Sequence, residues 1–231
     1  MAWYRLGEND PGAASGVAVT NTTADFAGAK HLKQFGSPLY TSAVSPDAAT
    51  QVASSLGVQL DGSGQYLSNA IVTTAVDNFG IEAWVKPTTV SSTYNFVAYN
   101  GNTANNGWGI AWQDGAFQGW YGNVILFGSG VIATGTWAHV ALVRDNGSST
   151  LYVNGVSANI PTGFGPNAPS TGFALGIRPQ APTTDFFNGA IDEVRVFTFA
   201  PGQFSTNDLL LNRTSTETTA APVKFYRLSK P

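Results

Sequence analysis

The segment Gly107-Trp108-Gly109-Ile110-Ala111-Trp112-Gln113-Asp114-Gly115-Ala116-Phe117-Gln118-Gly119-Trp120-Tyr121 reads as two β-strands joined by a two-residue turn. Asp-Gly supplies the positive φ angles that a type I′ turn demands, and the twist of that turn matches the twist of the strands it joins. Side chains alternate along a strand, so Trp108, Ile110 and Trp112 share one face and are expected in the core. Gln113, Gln118 and Trp120 are then placed on an outer or concave surface. A second junction repeats the logic, with Thr150–Val153 and Val156–Asn159 flanking Asn154-Gly155.

Outward from these hairpins, runs of β-branched and aromatic residues alternate with Gly, Asn, Asp and Pro clusters, and helical periodicity is almost absent. Strands are predicted at Ala2–Leu6, Val58–Leu60, Gly80–Lys86, Asn95–Tyr99, Trp137–Arg144, Thr171–Ile177 and Phe186–Phe199. Trp137–Arg144 is apolar on both faces, which suits a strand covered on two sides. The Ala-, Ser- and Thr-rich stretch from Pro11 to Leu56 reads as long connections with one strand near His31–Phe35. Ser205–Arg213 is predicted as the one helix, capped by Ser205 and carrying Leu209, Leu210 and Leu211.

Residues 1–213 are thus read as one antiparallel two-sheet β-sandwich with a short C-terminal helix, 214–222 as a Ser/Thr-rich linker and 223–231 as a strand-like tail. The tail's Phe225-Tyr226-Arg227-Leu228 repeats Trp3-Tyr4-Arg5-Leu6. That repeat is compatible with self-association through the tail, with the first strand of a further copy, or with chance.

With 231 residues, 43% of them apolar and 12% aromatic, the chain can build a substantial core. Charged residues are only 11% and the formal charge is −3, which gives no basic surface for nucleic acid. Cysteine is absent, so disulfides and thiolate metal sites are excluded. The longest apolar stretch, around Val124 to Ala133, falls short of the roughly 18 to 20 residues a membrane helix needs, and no membrane insertion is expected. No signal peptide is visible after Met1, while a polar complement of Ser, Thr, Asn and Gly suits an extracellular, cell-surface or virion-exposed protein.

Four segments together resemble the laminin-G-like jelly roll of the concanavalin A-like lectin and glucanase superfamily. They are Phe79–Pro87 (FGIEAWVKP), Trp137–Asp145 (WAHVALVRD), Leu151–Gly155 (LYVNG) and Phe187–Phe197 (FNGAIDEVRVF), and Tyr4–Glu8 with Leu60-Asp61-Gly62 extends the likeness to the amino terminus. The resemblance implies a sandwich fold; for function it leaves sugar binding, protein binding, adhesion and display open.

Alternation in Ile191–Phe197 places Asp192 on the face of Val194 and Val196, at the edge of the core. A buried carboxylate there must collect backbone N–H donors, meet a base or bind a hard cation, and calcium accepts such oxygens. The resemblance implies a structural calcium held by Asp192, with carbonyls from Tyr4 to Gly7 and from Asp61 to Gly64, Gly62 among them, and with Asp61 as a further side-chain ligand. For a saccharide, stacking aromatics and amide hydrogen bonds are required, and Trp120, Gln118, Gln113 and Asn106 are the candidates.

Catalysis is not expected. The Glu-x-Asp-x-Glu string of the glucanase branch is missing, and Glu82 and Glu193 each lack an acid two positions away. His139, inside its strand, reads as a hydrogen-bonded structural imidazole. A non-catalytic carbohydrate-binding or adhesion module with a glycan or surface protein as partner is therefore the leading expectation, with a virion or surface structural protein as the alternative.

Overall fold

The computed structural model describes residues 1–212 apart from 21, 123, 127, 160–163 and 180–183, and for 125, 126 and 159 it describes the backbone alone. In chain order the elements are β1 (Ala2–Tyr4), β2 (Lys33–Phe35), β3 (Leu39–Thr41), α1 (Pro46–Gln51), β4 (Gly57–Asp61), β5 (Tyr66–Asn69), β6 (Phe79–Pro87), β7 (Asn95–Asn100), β8 (Trp108–Gln113), β9 (Ala116–Tyr121), β10 (Val124–Leu126), β11 (Ala138–Asp145), β12 (Ser148–Val153), β13 (Val156–Asn159), β14 (Phe173–Leu175) and β15 (Asn188–Thr198). Every pairing is antiparallel. The first sheet runs β13-β12-β11-β6-β15-β4-β3 and the second β10-β9-β8-β7-β14-β5-β2.

Strand β15 is the spine of the first sheet. One edge pairs with β6 along its length, while the other is shared: β4 takes Asn188–Ile191 and β1 takes Val194–Val196. Between the sheets, Trp108, Ile110, Trp112 and Phe117 from the second meet Phe79, Ile81 and Val85 from the first. Phe79 stacks on Trp108 with centroids 4.0 Å apart, and Tyr4 stacks on Phe173 at 5.5 Å. Burying such aromatic side chains contributes about 1.5–3 kcal/mol or more apiece, which is how a chain without disulfides holds two sheets together.

Both predicted hairpin turns form, with φ of 50° and 79° at Asp114-Gly115 and 51° and 77° at Asn154-Gly155. A third, at Asn146-Gly147 (48° and 76°), joins β11 to β12. Two expectations are corrected. In the segment predicted as a helix from Ser205 to Arg213, the described residues up to Asn212 form not an α-helix but two 3₁₀ turns, Thr206–Asp208 and Leu210–Asn212, because Ser205 and Asp208 close a capping box over a single turn. The one α-helix among the described residues lies instead at Pro46–Gln51, in the stretch read as connections; Ser45 caps it and Pro46 opens it. No helix is long and apolar enough to cross a membrane among the described residues. Residues 213–231, including the tail, lie outside the described residues.

The two outer faces differ. On the first sheet Trp84 is sealed by Trp3, Ala48, Val52 and Leu210, and Ala141 and Val143 by Phe197 and Leu209. The second sheet has no helix over it among the described residues. Its middle meets the Gly101–Gly107 loop, whose Thr103 carbonyl accepts from Trp120, and among the described residues its β2–β5 end stays open, with Phe35 exposed.

Candidate functional site

At that open end, β2 and β5 pair so that Phe35 lies opposite Tyr66 on the outer face. The rings stack at 4.5 Å, within 6° of parallel, and Phe35 remains 40% exposed. Tyr66, Ser68 and Ala174 then floor and flank a groove of about 320 Å³, whose far wall is Thr171 and Arg178. The Arg178 guanidinium donates from Nε to Thr103 Oγ1 at 2.9 Å and lies 3.4 Å from an Asp185 oxygen. Among the described residues no carboxylate lines the groove.

The residues predicted for sugar binding lie on this same face but further along it. Trp120 is on the outer face as expected, yet it is not exposed. Only 8% of it is accessible, because Tyr94 and Phe96 pack against it at 4.7 and 5.2 Å and its indole N–H donates to the Thr103 carbonyl at 3.2 Å. Gln118 donates to Gln113 Oε1 at 3.1 Å, and Gln113 donates to the Ser92 carbonyl at 2.7 Å. Asn106 accepts from the amides of Asn102 and Ser170 and donates to Ser170 Oγ. These four side chains thus bond to their own fold. Tyr66 and Arg178 were missed because the cue is not in their spacing: β5 and the segment after β14 are distant in sequence and meet only through sheet pairing.

A second cluster sits where β15 changes neighbours. Register slips between Asp192 and Arg195, and Glu193 adopts a φ of 50°. This β-bulge corrects the predicted alternation: Val194 and Val196 face the core, but Asp192 falls opposite Trp84, on the outer face. Its carboxylate is fully buried. One oxygen accepts from Ser54 Oγ at 2.6 Å and the other, Oδ1, has no partner. Glu8 comes to the same spot, its Oε1 accepting from the Ser55 and Leu56 amides while Oε2 is also buried without a partner. Glu193 binds Arg5 at 3.0 Å and the Trp3 indole at 2.6 Å.

Burial, followed by the charge of Glu193, pushes Asp192 well above the usual carboxylate range. Burial and the neighbouring Glu8 likewise raise Glu193 to about 8, although Arg5 pulls it down. Two orphaned carboxylate oxygens suit a hard cation, and Asp192 with Glu8 could hold one. No group of three acid or histidine side chains suited to a metal occurs among the described residues, so backbone carbonyls would have to complete the shell.

Of the other predicted ligands, Tyr4 is near, opposite Val194. Asp61 and Gly62 are not. Asp61 pairs with Asn188, four residues back along β15, and its exposed carboxylate accepts from the Ser63 amide at 2.8 Å. Gly57, at the opposite end of β4, is the residue that adjoins Asp192.

Glu82 is fully buried on the covered face, where Arg195, His139 Nε2 (2.9 Å) and the Leu210 amide (2.9 Å) all reach it. Burial alone would raise its pKa, but the Arg195 charge and the His139 contact bring it below the ordinary value. His139 is hydrogen-bonded and enclosed, as expected of a structural imidazole.

This architecture agrees with the comparisons. A sequence profile described as the concanavalin A-like lectin/glucanases superfamily matches residues 61–203, and the chain belongs to that family. Among solved structures, domain 4 of an extracellular arabinanase from Geobacillus stearothermophilus, in complex with arabinotriose, is similar with a TM-score of 0.60 at 21% identity, over 91% of this chain and 95% of that one. A putative carbohydrate binding protein from Bacteroides ovatus aligns with a TM-score of 0.51 at 22% identity, over 63% and 44% of the two chains. Trypanosoma rangeli sialidase in complex with 2,3-difluorosialic acid gives 0.60 at 11% identity, over 92% of this chain but only 32% of the sialidase. At these identities the likeness is one of fold. No curated protein matches the chain.

Proposed function

We propose that this sandwich is a non-catalytic carbohydrate-binding module that takes its ligand in the groove between Tyr66 and Arg178. The observation that carries the reading is the stacked Phe35–Tyr66 pair beside a polar-rimmed groove at the open end of the second sheet. An aromatic wall receives the C–H face of a pyranose or furanose ring, and hydroxyl, amide and guanidinium groups around it bond the sugar oxygens. Domain 4 of the arabinanase, a similar fold solved with arabinotriose, supports the ligand class.

Glycoside hydrolysis asks for two carboxyl groups flanking a bound sugar. The acids that gather here, Asp192 and Glu193, are fully buried at the bulge and Glu82 is neutralised by Arg195, so none faces the groove. We further propose that calcium, held by Asp192 and Glu8, acts as a staple at the split edge of β15 and not as part of the sugar site. A position on the cell surface or outside it is proposed on composition.

A glycan array, run with wild type and Tyr66→Ala in calcium and in chelator, tests both. The expected result is saccharide binding lost in Tyr66→Ala while its melting temperature and calcium response persist. Absence of binding to any glycan by wild type overturns the groove reading and favours a structural role. A specific feature supports that second reading: the tail's Phe225-Tyr226-Arg227-Leu228 matches Trp3-Tyr4-Arg5-Leu6, whose first two residues belong to β1 on one β15 edge. Deleting residues 214–231 and measuring mass in solution tests it, since a scaffold assembled by strand addition would lose its oligomers.

A further inference from the structure

Resting on the groove as a saccharide site, we infer that it selects sugars bearing a carboxylate, with Arg178 as the residue that reads the acid. Although the chain carries a formal charge of −3, this groove contains one guanidinium and no acidic side chain in its lining. The guanidinium is held in place. Its Nε is fixed on Thr103 at 2.9 Å, and Thr103 is fully buried and itself clamped by the Trp120 indole through its carbonyl. Among the described residues one counter-charge approaches, Asp185 at 3.4 Å, at the outer limit of a hydrogen bond; Arg178 keeps a side-chain exposure of 32%. One N–H of five is thus well bonded and one weakly, so the terminal nitrogens retain donors for an incoming acid.

A planar guanidinium matches a carboxylate in bidentate fashion, and the pair is stronger than neutral hydrogen bonds to hydroxyls. A neutral sugar would stack equally well on the aromatic wall but would offer the guanidinium only uncharged hydroxyl acceptors. Residue chemistry therefore divides the groove: Tyr66, backed by the stacked Phe35, supplies affinity for a ring, and Arg178 supplies preference for a charged one.

The experiment is calorimetric titration of a uronic acid trisaccharide and its neutral counterpart of the same linkage into wild type, Arg178→Gln and Asp185→Asn. Wild type is expected to bind the acidic trisaccharide about tenfold more tightly, a preference that shrinks at high salt. Arg178→Gln should bring the two affinities together, weakening the acidic sugar far more than the neutral one. Asp185→Asn should widen the gap by freeing the guanidinium, and asparagine tolerates the φ of 63° at that position. Equal affinities in wild type, or a preference that survives Arg178→Gln in a variant with a wild-type melting curve, overturn the inference and leave the groove a neutral-sugar site. Binding of neither sugar, nor of any glycan on the array, overturns the groove reading itself.

Discussion

Glu82 Oε2 and His139 Nε2 lie 2.9 Å apart in a part of the first sheet that no solvent reaches, on adjacent strands β6 and β11. The same carboxylate answers Arg195 from β15 and the Leu210 amide from the second 3₁₀ turn, so one acid ties three strands to the segment that caps them. Its pKa is lowered in the folded state, so its stabilisation is present above the unfolded value of 4.5 and is lost as the pH falls through the folded one. Glu82→Gln should therefore melt lower at neutral pH, by about 3–5 kcal/mol for the stranded Arg195 charge. The variant should also show a shallower fall in melting temperature towards acid, and parallel acid limbs for the two proteins would contradict the assignment.

Trp120 offers a contrast between exposure and orientation. Trp120→Phe keeps a ring against Phe96 and Tyr94 but drops the hydrogen bond to Thr103, and should lower stability by about 1 kcal/mol. Affinity for a neutral saccharide should stay within about twofold of wild type, since the indole is enclosed and reaches the groove only through Thr103 and Arg178. A loss as deep as that of Tyr66→Ala would move the binding site to the β8–β9 hairpin.

The cation proposal makes a thermal prediction. At a calcium concentration 100 times its dissociation constant, linkage adds about 2.7 kcal/mol, or roughly 5–10 °C for a domain of this size. Chelator should remove that shift, and Asp192→Asn should abolish the response to calcium. A melting curve indifferent to both calcium and chelator would mean that Asp192 is held as a neutral acid against Ser54.

Packing between β6 and β15 is tight enough to test with one methyl group. A side chain at Gly80 would meet the Phe197 ring at 2.2 Å, so Gly80→Ala should cost about 1–3 kcal/mol. Combined with Phe197→Leu, which shortens the obstructing ring, the cost should be markedly less than the sum of the two single changes. Simple additivity in that double-mutant cycle would show that the strain lies elsewhere.

Much of the sandwich was legible from period-two alternation and Asx-Gly turns, which act over a few residues. Trp108, Ile110 and Trp112 went to the core for that reason, and Asp114-Gly115 and Asn154-Gly155 turned the chain as their φ preferences require. Alternation failed at Asp192 because a bulge resets the count, and nothing in Ile191–Phe197 marks Glu193 for a left-handed conformation that is seldom taken by glutamate. For Trp120 it gave the correct face but not the cover, which comes from Tyr94 and the Gly101–Gly107 loop. The Ser45-Pro46-Asp47 start of α1 is a readable helix signal, but six residues carry too little periodicity to stand out from loops.

The division of β15 between β1 and β4 bears on how the chain acquires its shape. Ala2 finds its partner only at Val196, so β1 has to wait until β15 has been synthesised before it can be seated. At about 5–20 residues per second that interval is on the order of tens of seconds, during which one flank of the growing sheet has no neighbour. Closure of the module is in this sense a late event in synthesis, and the apolar Trp3 and Leu6 need shelter until it happens.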